Sequence, residues 1–329
     1  MKAQIIREFG TPDVFAEATL PDPTPGPGEL LLEVKASSVN PIDYKIRRGD
    51  APALSPPMPA ILHGDMAGVV REIGAGVSGF SLGDEVYGCI GGYGKRQGVL
   101  ADLAVADART VAPKPAGLPF AEAAALPLVS LTVLDALAKG RPKAGDHVLV
   151  PGATGGVGHV AVQMLKSLGC RVTTTASSEP KLELGRTLGA DAVVNYKDET
   201  VAQYTERLTD GRGFDLVLDT VGGEALGNAL EAVRSSGTVV TIQARGLHDL
   251  TTLHMRGASL HAVFMILPLL RDEHPEVLGE RLRQTTNLVD EGRLKPLLEP
   301  RRFSFAEVGA AHTLAESGGH IGKIVLERN

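Results

Sequence analysis

The sequence predicts an α/β protein of two domains, one of which contains a doubly wound parallel sheet. Its 329 residues exceed the length that a single hydrophobic core usually spans. Residues 1–120 contain short strand patterns separated by turns, which is typical of a β-rich domain. From residue 146 to about 266, strand and helix patterns alternate, which indicates parallel strands joined by right-handed crossovers. Residues 267–329 are expected to return to the first domain.

The predicted elements follow from hydrophobic periodicity and from the glycines and prolines that interrupt it. In the first domain the strands are at 3–8, 29–38, 67–73, 85–89 and 99–105, with a helix at 276–291 and a closing strand at 318–326. A helical pattern at 119–139 leads into the second domain, 121–266. Its strands are at 148–151, 172–176, 192–195, 216–219, 238–243 and 260–264, and its helices are near 157–168, 180–189, 199–209 and 224–235.

Composition argues against several classes of function. Thirty-three Lys and Arg against 39 Asp and Glu give a net charge of −6, which disfavours nucleic acid or an anionic membrane as the main partner. The N-terminus alternates like a strand rather than a signal peptide, and no apolar run reaches membrane-spanning length. We therefore expect a cytoplasmic protein that acts on a small molecule. Cys89 and Cys170 are too few for a disulfide scaffold, and each is expected to be a small buried residue.

A glycine-rich turn between a strand and a helix predicts a dinucleotide site. Glycines let the backbone approach a pyrophosphate, and the N–H groups at a helix N-terminus bind it. Aligned with the G-x-G-x-x-G fingerprint, the turn reads Ala153-Thr154-Gly155-Gly156-Val157-Gly158, so alanine replaces the first glycine and an extra Gly152 precedes it. The predicted cofactor contacts are Thr154, Gly155, Gly156, Val157 and Gly158. Such turns also close ordinary strand-helix connections.

The residues after the second strand favour NADPH over NADH. An Asp or Glu there would bind the ribose 2′-hydroxyl and repel a 2′-phosphate. The chain instead places Ser177 and Lys181 in this segment, and hydroxyl and ammonium groups suit a phosphate. The alternative is that Ser177 and Ser178 only cap the helix that begins near Pro180.

Several separated motifs together resemble a known family. They are Gly-Ala-Thr-Gly-Gly-Val-Gly at 152–158, Leu-Gly-Ala-Asp-Ala-Val-Val-Asn-Tyr at 188–196, Phe-Asp-Leu-Val-Leu-Asp-Thr-Val-Gly-Gly at 214–223, Gly-Lys-Ile-Val-Leu at 322–326, and the segments 39–45 and 67–70. In this order they resemble the medium-chain dehydrogenase/reductase superfamily, and within it the zinc-independent quinone oxidoreductases related to zeta-crystallin. The resemblance covers nearly the whole chain.

The resemblance implies a fold and an activity. It implies a GroES-like catalytic domain made from 1–120 and 267–329, and an inserted Rossmann domain at 121–266 that binds NADP(H). The implied activity is the NADPH-dependent reduction of quinones or α,β-unsaturated carbonyls. The family also implies a homodimer that pairs edge strands of two nucleotide-binding domains. Two alternatives remain, namely an NADPH-binding protein without a catalytic role and a zinc-type alcohol dehydrogenase.

The residues at the zinc positions of the family disfavour a metal. Zinc-dependent relatives have cysteine where Asn40 stands and Gly-His-Glu where Gly64-Asp65-Met66 stands. Zinc requires thiolate, imidazole or carboxylate ligands that converge in a tetrahedron. Residues 128–130 supply no third cysteine, and His63 with Asp65 would provide only two ligands. We therefore expect hydride transfer without a metal.

Without a metal, hydrogen-bond donors must polarise the substrate carbonyl. Asn40 and Tyr44 are the catalytic candidates, because the resemblance places their loop beside the nicotinamide. Asn40 would orient the nicotinamide ribose or the substrate oxygen, and Tyr44 would donate a proton. The alternatives are a turn-forming Asn before Pro41 and a half-buried aromatic residue. Asp43 is expected to cap the helix, and Tyr93 is a weaker candidate on a flexible loop.

Loops at the carboxyl ends of the parallel strands supply the remaining candidates. Val221 in the 220–223 turn and Gln243 after the fifth strand should face the cofactor. Tyr196 matches a family tyrosine at the adenosine phosphate end of NADPH, although a tyrosine packed at a strand end is as common. Lys323 resembles a family position close to the cofactor, with a solvated lysine as the alternative. The apolar segment 264–270 is expected to line the substrate site or a subunit interface.

Overall fold

The computed structural model describes residues 1–328 and divides the chain into two compact units. The first unit comprises Met1–Leu131, Ile266–Gly292 and Pro296–Asn329, and the second comprises Thr132–Met265 and Arg293–Lys295. Among the described residues, no helix is both long enough and apolar enough to cross a bilayer. Both cysteines are unpaired and buried, as expected.

The elements are numbered in chain order. Up to the first boundary they are β1 (Lys2–Ile6), β2 (Ala16–Thr19), β3 (Glu29–Ser38), α1 (Pro41–Arg48), β4 (Ala60–Ile61), β5 (Asp65–Ile73), β6 (Glu85–Cys89), β7 (Leu103–Asp107), β8 (Val111–Pro113), α2 (Phe120–Ala124) and α3 (Pro127–Gly140). The second unit continues with β9 (His147–Pro151), α4 (Gly156–Ser167), β10 (Arg171–Ala176), α5 (Glu179–Thr187), β11 (Ala192–Asn195), α6 (Val201–Thr209), β12 (Phe214–Asp219), α7 (Leu226–Ala232), β13 (Val233–Thr241), α8 (Thr251–Arg256) and β14 (Ser259–Ala262). The chain then forms α9 (Leu267–Arg271), α10 (Glu276–Asp290), β15 (Phe303–Ser304), α11 (Val308–Ser317) and β16 (Val325–Glu327).

The first unit is organised around the long strand β3. It pairs antiparallel with β5, β7 and β16, and the main sheet has the order β15-β16-β3-β5-β6-β8. Leu30, Leu32 and Val34 alternate along β3, so all three enter one core with Met66 and Val70 of β5. Burial of each such side chain contributes about 1.5–3 kcal/mol. A smaller sheet has the order β2-β1-β4.

The second unit is a six-stranded sheet of the order β11-β10-β9-β12-β13-β14. Every pairing in it is parallel. The order reverses between β9 and β12, and in open sheets of this kind ligands bind at the carboxyl ends of the strands near such a reversal. The predicted fold class, with a β-rich domain and a doubly wound parallel sheet, is confirmed.

Several predicted elements were wrong in their extent. The strand predicted at 99–105 is Leu103–Asp107, and the strand predicted at 238–243 is Val233–Thr241, whose first residues were predicted as the end of a helix. The helical pattern at 119–139 is two helices, because Pro127 cannot continue α2 and instead starts α3. The short helix α2 packs against β3, β5 and β16 and therefore belongs to the first unit. That unit extends past α2 to Leu131. The closing strand predicted at 318–326 is only Val325–Glu327. Residues 308–317, for which no element was predicted, form α11, which ends at a left-handed Gly318.

Candidate functional site

The glycine turn after β9 differs from the usual fingerprint by one position. Gly152 has a φ of 74°, a backbone conformation that favours glycine. Ala153, which replaces the first glycine of the fingerprint, is buried, and its N–H donates to Thr174 Oγ1 at 3.2 Å. The extra Gly152 therefore supplies the tight turn that the alanine does not provide.

Gly158 allows the first turn of α4 to approach the turn that precedes it. A Cβ atom at this position would lie 2.1 Å from the carbonyl oxygen of Gly152. Gly155, which caps the 12-residue helix, is exposed. The Gly155 N–H donates to the Gly152 carbonyl oxygen at 3.1 Å. Because the first turn of a helix leaves N–H groups without intrahelical partners, the N–H groups of Gly156 and Val157 form a cradle that suits a pyrophosphate. Thr154 is nearly buried in the same turn.

Ser177 and Tyr196 directly follow neighbouring strands. Ala176 of β10 pairs with Asn195 of β11, so the next residue on each strand lies at the same edge of the sheet. Tyr196 is 56% exposed, which contradicts the alternative that its ring is packed at the strand end. Ser178 precedes α5 as its N-cap residue, but its side chain makes no capping hydrogen bond. Lys181 lies in the first turn of α5, half-buried.

The loops after β12 and β13 are fixed by a buried carboxylate. Asp219 accepts hydrogen bonds from the backbone N–H groups of Val221 and Gly222 at 3.0 and 2.9 Å, and from Thr241 Oγ1 at 2.8 Å. Val221 is held with its side chain 54% exposed. A Cβ on Gly222 would lie 2.2 Å from the Cβ of Gln243, so the two loops meet closely. Sequence reasoning missed Asp219, whose only signal was a carboxylate at the end of an apolar strand.

The first unit contains a buried network around Asn40 and Lys323. Lys323 Nζ donates to Asn40 Oδ1 at 2.5 Å and to the Val39 carbonyl at 2.9 Å, and lies 3.5 Å from Asp65 Oδ2. Asn40 Nδ2 donates to Asp65 Oδ2 at 2.8 Å. Asn40 is 1% exposed and Lys323 is 3% exposed. The alternative of a solvated Lys323 is therefore wrong.

The Asp65 carboxylate accepts hydrogen bonds from three parts of the first unit. Ser38 Oγ donates to Oδ2 at 3.0 Å, in addition to Asn40 and Lys323. The backbone N–H of Leu128 donates to Oδ1 at 2.8 Å. Leu128 lies in the first turn of α3, whose partial positive charge favours a carboxylate. The carboxylate thus connects β3, α3 and the C-terminal segment.

Asp43 and Tyr93 extend the network on the side of α1. Asp43 Oδ2 accepts the backbone N–H of Asn40 at 2.7 Å, which caps α1 as expected, and Tyr93 Oη donates to Oδ1 at 3.3 Å. Burial, with a smaller effect of the Asp65 charge, raises the pKa of Asp43 to about 7. Tyr93 lies in the glycine-rich loop after β6, as expected, and its side chain is fully buried. Burial raises the pKa of its phenol and that of the Cys89 thiol.

Tyr44 lies next to this network but is more open. It is half-buried on α1, and the Arg48 guanidinium lies 5.5 Å from the centre of its ring. Burial raises the pKa of its phenol, so the hydroxyl keeps its proton near neutral pH. Half-burial is also what the alternative of a half-buried aromatic residue predicted, so the role of Tyr44 as a proton donor stays a prediction.

The residues at the family's zinc positions do not fit a zinc ion. The Lys323 ammonium occupies the acceptor atom of Asn40 and lies beside the Asp65 carboxylate, so a cation is already bonded there. Met66 is on the opposite face of β5 and packs in the hydrophobic core. Within residues 1–328, no group of three His, Cys, Asp or Glu side chains is arranged to hold a metal ion.

A buried histidine pair lies in the same unit and was not foreseen. His63 Nε2 and His312 Nε2 are 2.8 Å apart, and His63 Nδ1 lies 3.1 Å from Ser37 Oγ. Burial lowers the pKa of His63 to about 3 and holds that of His312 well below its usual value. Both rings are therefore neutral at physiological pH. The two histidines are 249 residues apart in sequence.

Comparisons with known families and curated proteins agree with this architecture. Residues 26–116 match the alcohol dehydrogenase GroES-like domain, and residues 188–326 match the zinc-binding dehydrogenase model. The 2-methylene-furan-3-one reductase of Solanum lycopersicum is 33% identical, over 99% of this chain and 79% of that protein. The chloroplastic NADPH-dependent alkenal/one oxidoreductase of Arabidopsis thaliana is 30% identical over the same shares.

Solved structures show the same fold over the full length. An alcohol dehydrogenase superfamily protein from Novosphingobium aromaticivorans matches with a TM-score of 0.95 and 39% identity, over 100% of both chains. A quinone oxidoreductase from Coxiella burnetii matches with a TM-score of 0.85 and 30% identity, over 100% of this chain and 99% of that one. A mycobacterial protein complexed with NADPH matches with a TM-score of 0.88 and 29% identity, over 99% and 100%. With the GroES-like and parallel-sheet units, these matches show that the chain belongs to the medium-chain dehydrogenase/reductase family.

Proposed function

We propose that this protein is an NADPH-dependent oxidoreductase that reduces quinones or α,β-unsaturated carbonyls by hydride transfer without a metal. The observation that carries the proposal is the buried Lys323 ammonium, which bonds Asn40 and neighbours Asp65 where zinc-dependent relatives have ligands. The names of the relatives, an enone reductase, an alkenal/one oxidoreductase and a quinone oxidoreductase, support the substrate class. The glycine cradle of α4 supports the cofactor.

Each candidate residue has a role in this proposal. Bound NADPH would supply the hydride. Asn40 polarises the substrate oxygen, and Tyr44 or water supplies the proton that completes the two-electron reduction. The glycine turn at 154–158 binds the pyrophosphate, while Val221 and Gln243 contact the cofactor from the loops after β12 and β13. Lys323 acts through Asn40, in place of the direct cofactor contact expected from the sequence.

Oxidation of NADPH at 340 nm, with a simple enone and a simple benzoquinone as acceptors, tests the function. We expect turnover that is unchanged by a chelator, because no step requires a metal. Tyr44→Phe is expected to lower kcat by about a hundred- to ten-thousandfold, and an unchanged kcat would assign the proton to water. Tight NADPH binding without turnover would favour a non-catalytic role, and loss of activity on chelation would favour a zinc enzyme.

Ser177, Lys181 and Tyr196 are proposed to select NADPH through its 2′-phosphate. Changing Ser177→Asp and Lys181→Glu together is expected to weaken NADPH binding by at least tenfold, because two carboxylates would face the phosphate. NADH binding should change much less. The dissociation constants from cofactor fluorescence provide the comparison.

Lys143→Glu is the matched control for this cofactor prediction. Lys143 is exposed and precedes β9, so it lies at the opposite edge of the sheet, and its reversal changes the net charge without affecting the cofactor site. Equal losses for NADPH and NADH in the double variant would refute the assignment.

The assembly and the location are proposed by analogy with the family. We propose a cytoplasmic homodimer that pairs the edge strand β14 of each subunit, since an edge strand presents unpaired backbone groups. Light scattering would give the mass of the assembly. A monomer at micromolar concentration, or a dimer unaffected by His261→Pro in β14, would contradict the pairing, and fractionation of cells tests the location.

A further inference from the structure

We propose that Lys323 is a positioning residue that fixes the side-chain amide of Asn40, so that Asn40 can offer a ligand only an N–H donor. The inference rests on the proposed reductase function. It states that Asn40 recognises the substrate as a hydrogen-bond donor and not as an acceptor. The ligand atom is then an oxygen that accepts hydrogen bonds, namely the carbonyl oxygen of the enone or quinone.

The charges around Asn40 allow only one orientation of its amide. Burial lowers the pKa of Lys323, whereas the charges of Asp65 and Asp43 raise it. As an ammonium group Lys323 Nζ can donate but not accept, so at 2.5 Å it faces the amide oxygen. An ionised carboxylate can accept but not donate, so Asp65 Oδ2, at 2.8 Å, must face the amide nitrogen. A flipped amide would place Nδ2 against the ammonium and Oδ1 against the carboxylate. Both contacts would be repulsive in a buried site.

One donor of Asn40 remains after these bonds. Nδ2 has two hydrogens, and in the described part of the chain only the bond to Asp65 is made by it. The backbone N–H is used by Asp43 at 2.7 Å, and Oδ1 is used by Lys323. The second Nδ2 hydrogen is the group that the proposal assigns to the ligand, and it cannot rotate away without breaking two charge-assisted bonds.

A fixed donor favours the substrate oxygen over the cofactor ribose. A ribose hydroxyl both donates and accepts, so it would bind either end of the amide and gains little from a fixed orientation. A carbonyl oxygen only accepts, and it becomes more negative as the hydride arrives. Preorganised donors at such an oxygen typically contribute a factor of about 10²–10³ in kcat.

A second buried lysine in the first unit, Lys114, provides a control for the loss of a buried ammonium group. Lys114 is also nearly buried, and it donates to the backbone carbonyls of Pro115 and Leu118 and pairs with Glu85 at 3.0 Å. None of its partners is a candidate site residue. Lys114→Met therefore removes a buried ammonium from the same unit without affecting the Asn40 network.

A double-mutant cycle distinguishes positioning from general stability. We expect Asn40→Ala to lower kcat with an enone by about a hundredfold, and Lys323→Met to lower it at least tenfold, with the NADPH dissociation constant changed less than twofold in both. The double variant should lose no more than Asn40→Ala alone, because Lys323 acts only through that amide. The proposal would be overturned if the loss of kcat in the double variant equalled the product of the two single losses. It would also be overturned if the NADPH dissociation constant rose by as much as kcat fell.

Lys323→Gln keeps the test valid if the methionine variant does not fold. A glutamine amide can still donate to Asn40 Oδ1, so this variant should retain more kcat than Lys323→Met. Lys114→Met should leave kcat unchanged. An equal loss in Lys323→Gln and Lys114→Met would indicate a role in stability alone and would contradict positioning.

The amide signals of Asn40 provide a readout that does not need activity. In a two-dimensional ¹⁵N–¹H spectrum, assigned by the signals that Asn40→Ala removes, we expect two well separated Nδ2 protons in the natural protein and in Lys114→Met. In Lys323→Met the two signals should shift or broaden, because no donor then holds the amide oxygen, and in Lys323→Gln they should change less. Unchanged signals would refute positioning. If the natural protein reduces no enone or quinone, the proposed function fails, whereas these signals still decide the role of Lys323.

Discussion

Gly158→Ala is expected to abolish NADPH binding, with a dissociation constant at least a hundredfold higher than that of the natural protein. A Cβ at residue 158 would lie 2.1 Å from the Gly152 carbonyl oxygen, so the helix N-terminus and the turn must separate. The contact is with backbone, which cannot move aside as a side chain can. Because the cradle of N–H groups is built by that close approach, its displacement removes the proposed pyrophosphate site. Fluorescence titration with NADPH measures the loss.

Gly227→Ala is the matched control for Gly158→Ala. Gly227 is an exposed glycine within α7 of the same unit, and a Cβ there meets nothing within 4 Å. Alanine should stabilise this helix by about 0.5–1 kcal/mol and leave NADPH binding unchanged. NADPH affinity retained by Gly158→Ala would contradict the account of the turn.

Acidification below pH 6.5 is expected to destabilise the protein through its buried histidine pair. The pKa of His63 is about 3 in the folded protein, against about 6.5 in an unfolded chain, and that of His312 is also depressed. Between these values the unfolded chain binds protons that the folded protein does not, so stability falls as the pH falls. Each histidine contributes a slope of up to about 1.4 kcal/mol per pH unit.

Asp43 acts in the opposite direction over an overlapping range. Its pKa is about 7 in the folded protein and about 3.9 when unfolded, so the folded protein binds the extra proton. The contribution of Asp43 to stability therefore increases as the pH falls from about 7 to 4. The Asp43 contribution to the pH dependence of stability offsets that of about one of the two histidines. The difference in slope between a variant and the natural protein is therefore more informative than the slope of the natural protein alone.

His312→Gln isolates the contribution of one buried histidine. Denaturant unfolding between pH 7 and 4 should show a slope that is smaller by up to about 1.4 kcal/mol per pH unit than in the natural protein. His254→Gln, at an exposed histidine of α8, should leave the slope unchanged. The same slope in the natural protein and in His312→Gln would show that the pair does not remain neutral.

Local patterns predicted the fold because each depends on neighbours in sequence. The alternation along 29–38 predicted β3, and the strand, glycine turn and helix at 147–168 predicted the start of the parallel sheet. Pro127 was overlooked as a helix start because the apolar spacing continues across it. The turn between β9 and α4 was located correctly, but only the structure shows that Gly152 rather than Ala153 has the left-handed conformation.

The buried polar network was beyond sequence reasoning because its members are distant in the chain. Asn40 and Lys323 are 283 residues apart, and His63 and His312 are 249 apart, so no periodicity connects them. A lysine near a glycine is usually solvated, and only the packing of β16 and its neighbours against β3 buries this one. Asn40 and Asp65 were singled out because they stand at zinc positions of the family, which is a resemblance rather than a physical pattern.

The position of a transferred deuterium distinguishes metal-free hydride transfer to the β-carbon from reduction of the carbonyl group. The protein, first treated with a chelator, would be given an enone and NADPH deuterated at C4 of the nicotinamide, in its two stereoisomers separately. We predict one deuterium on the β-carbon of the product with one stereoisomer and none with the other, since the hydride moves to an electron-poor carbon from a fixed face. Deuterium on the carbonyl carbon, or transfer that requires added zinc, would contradict the account.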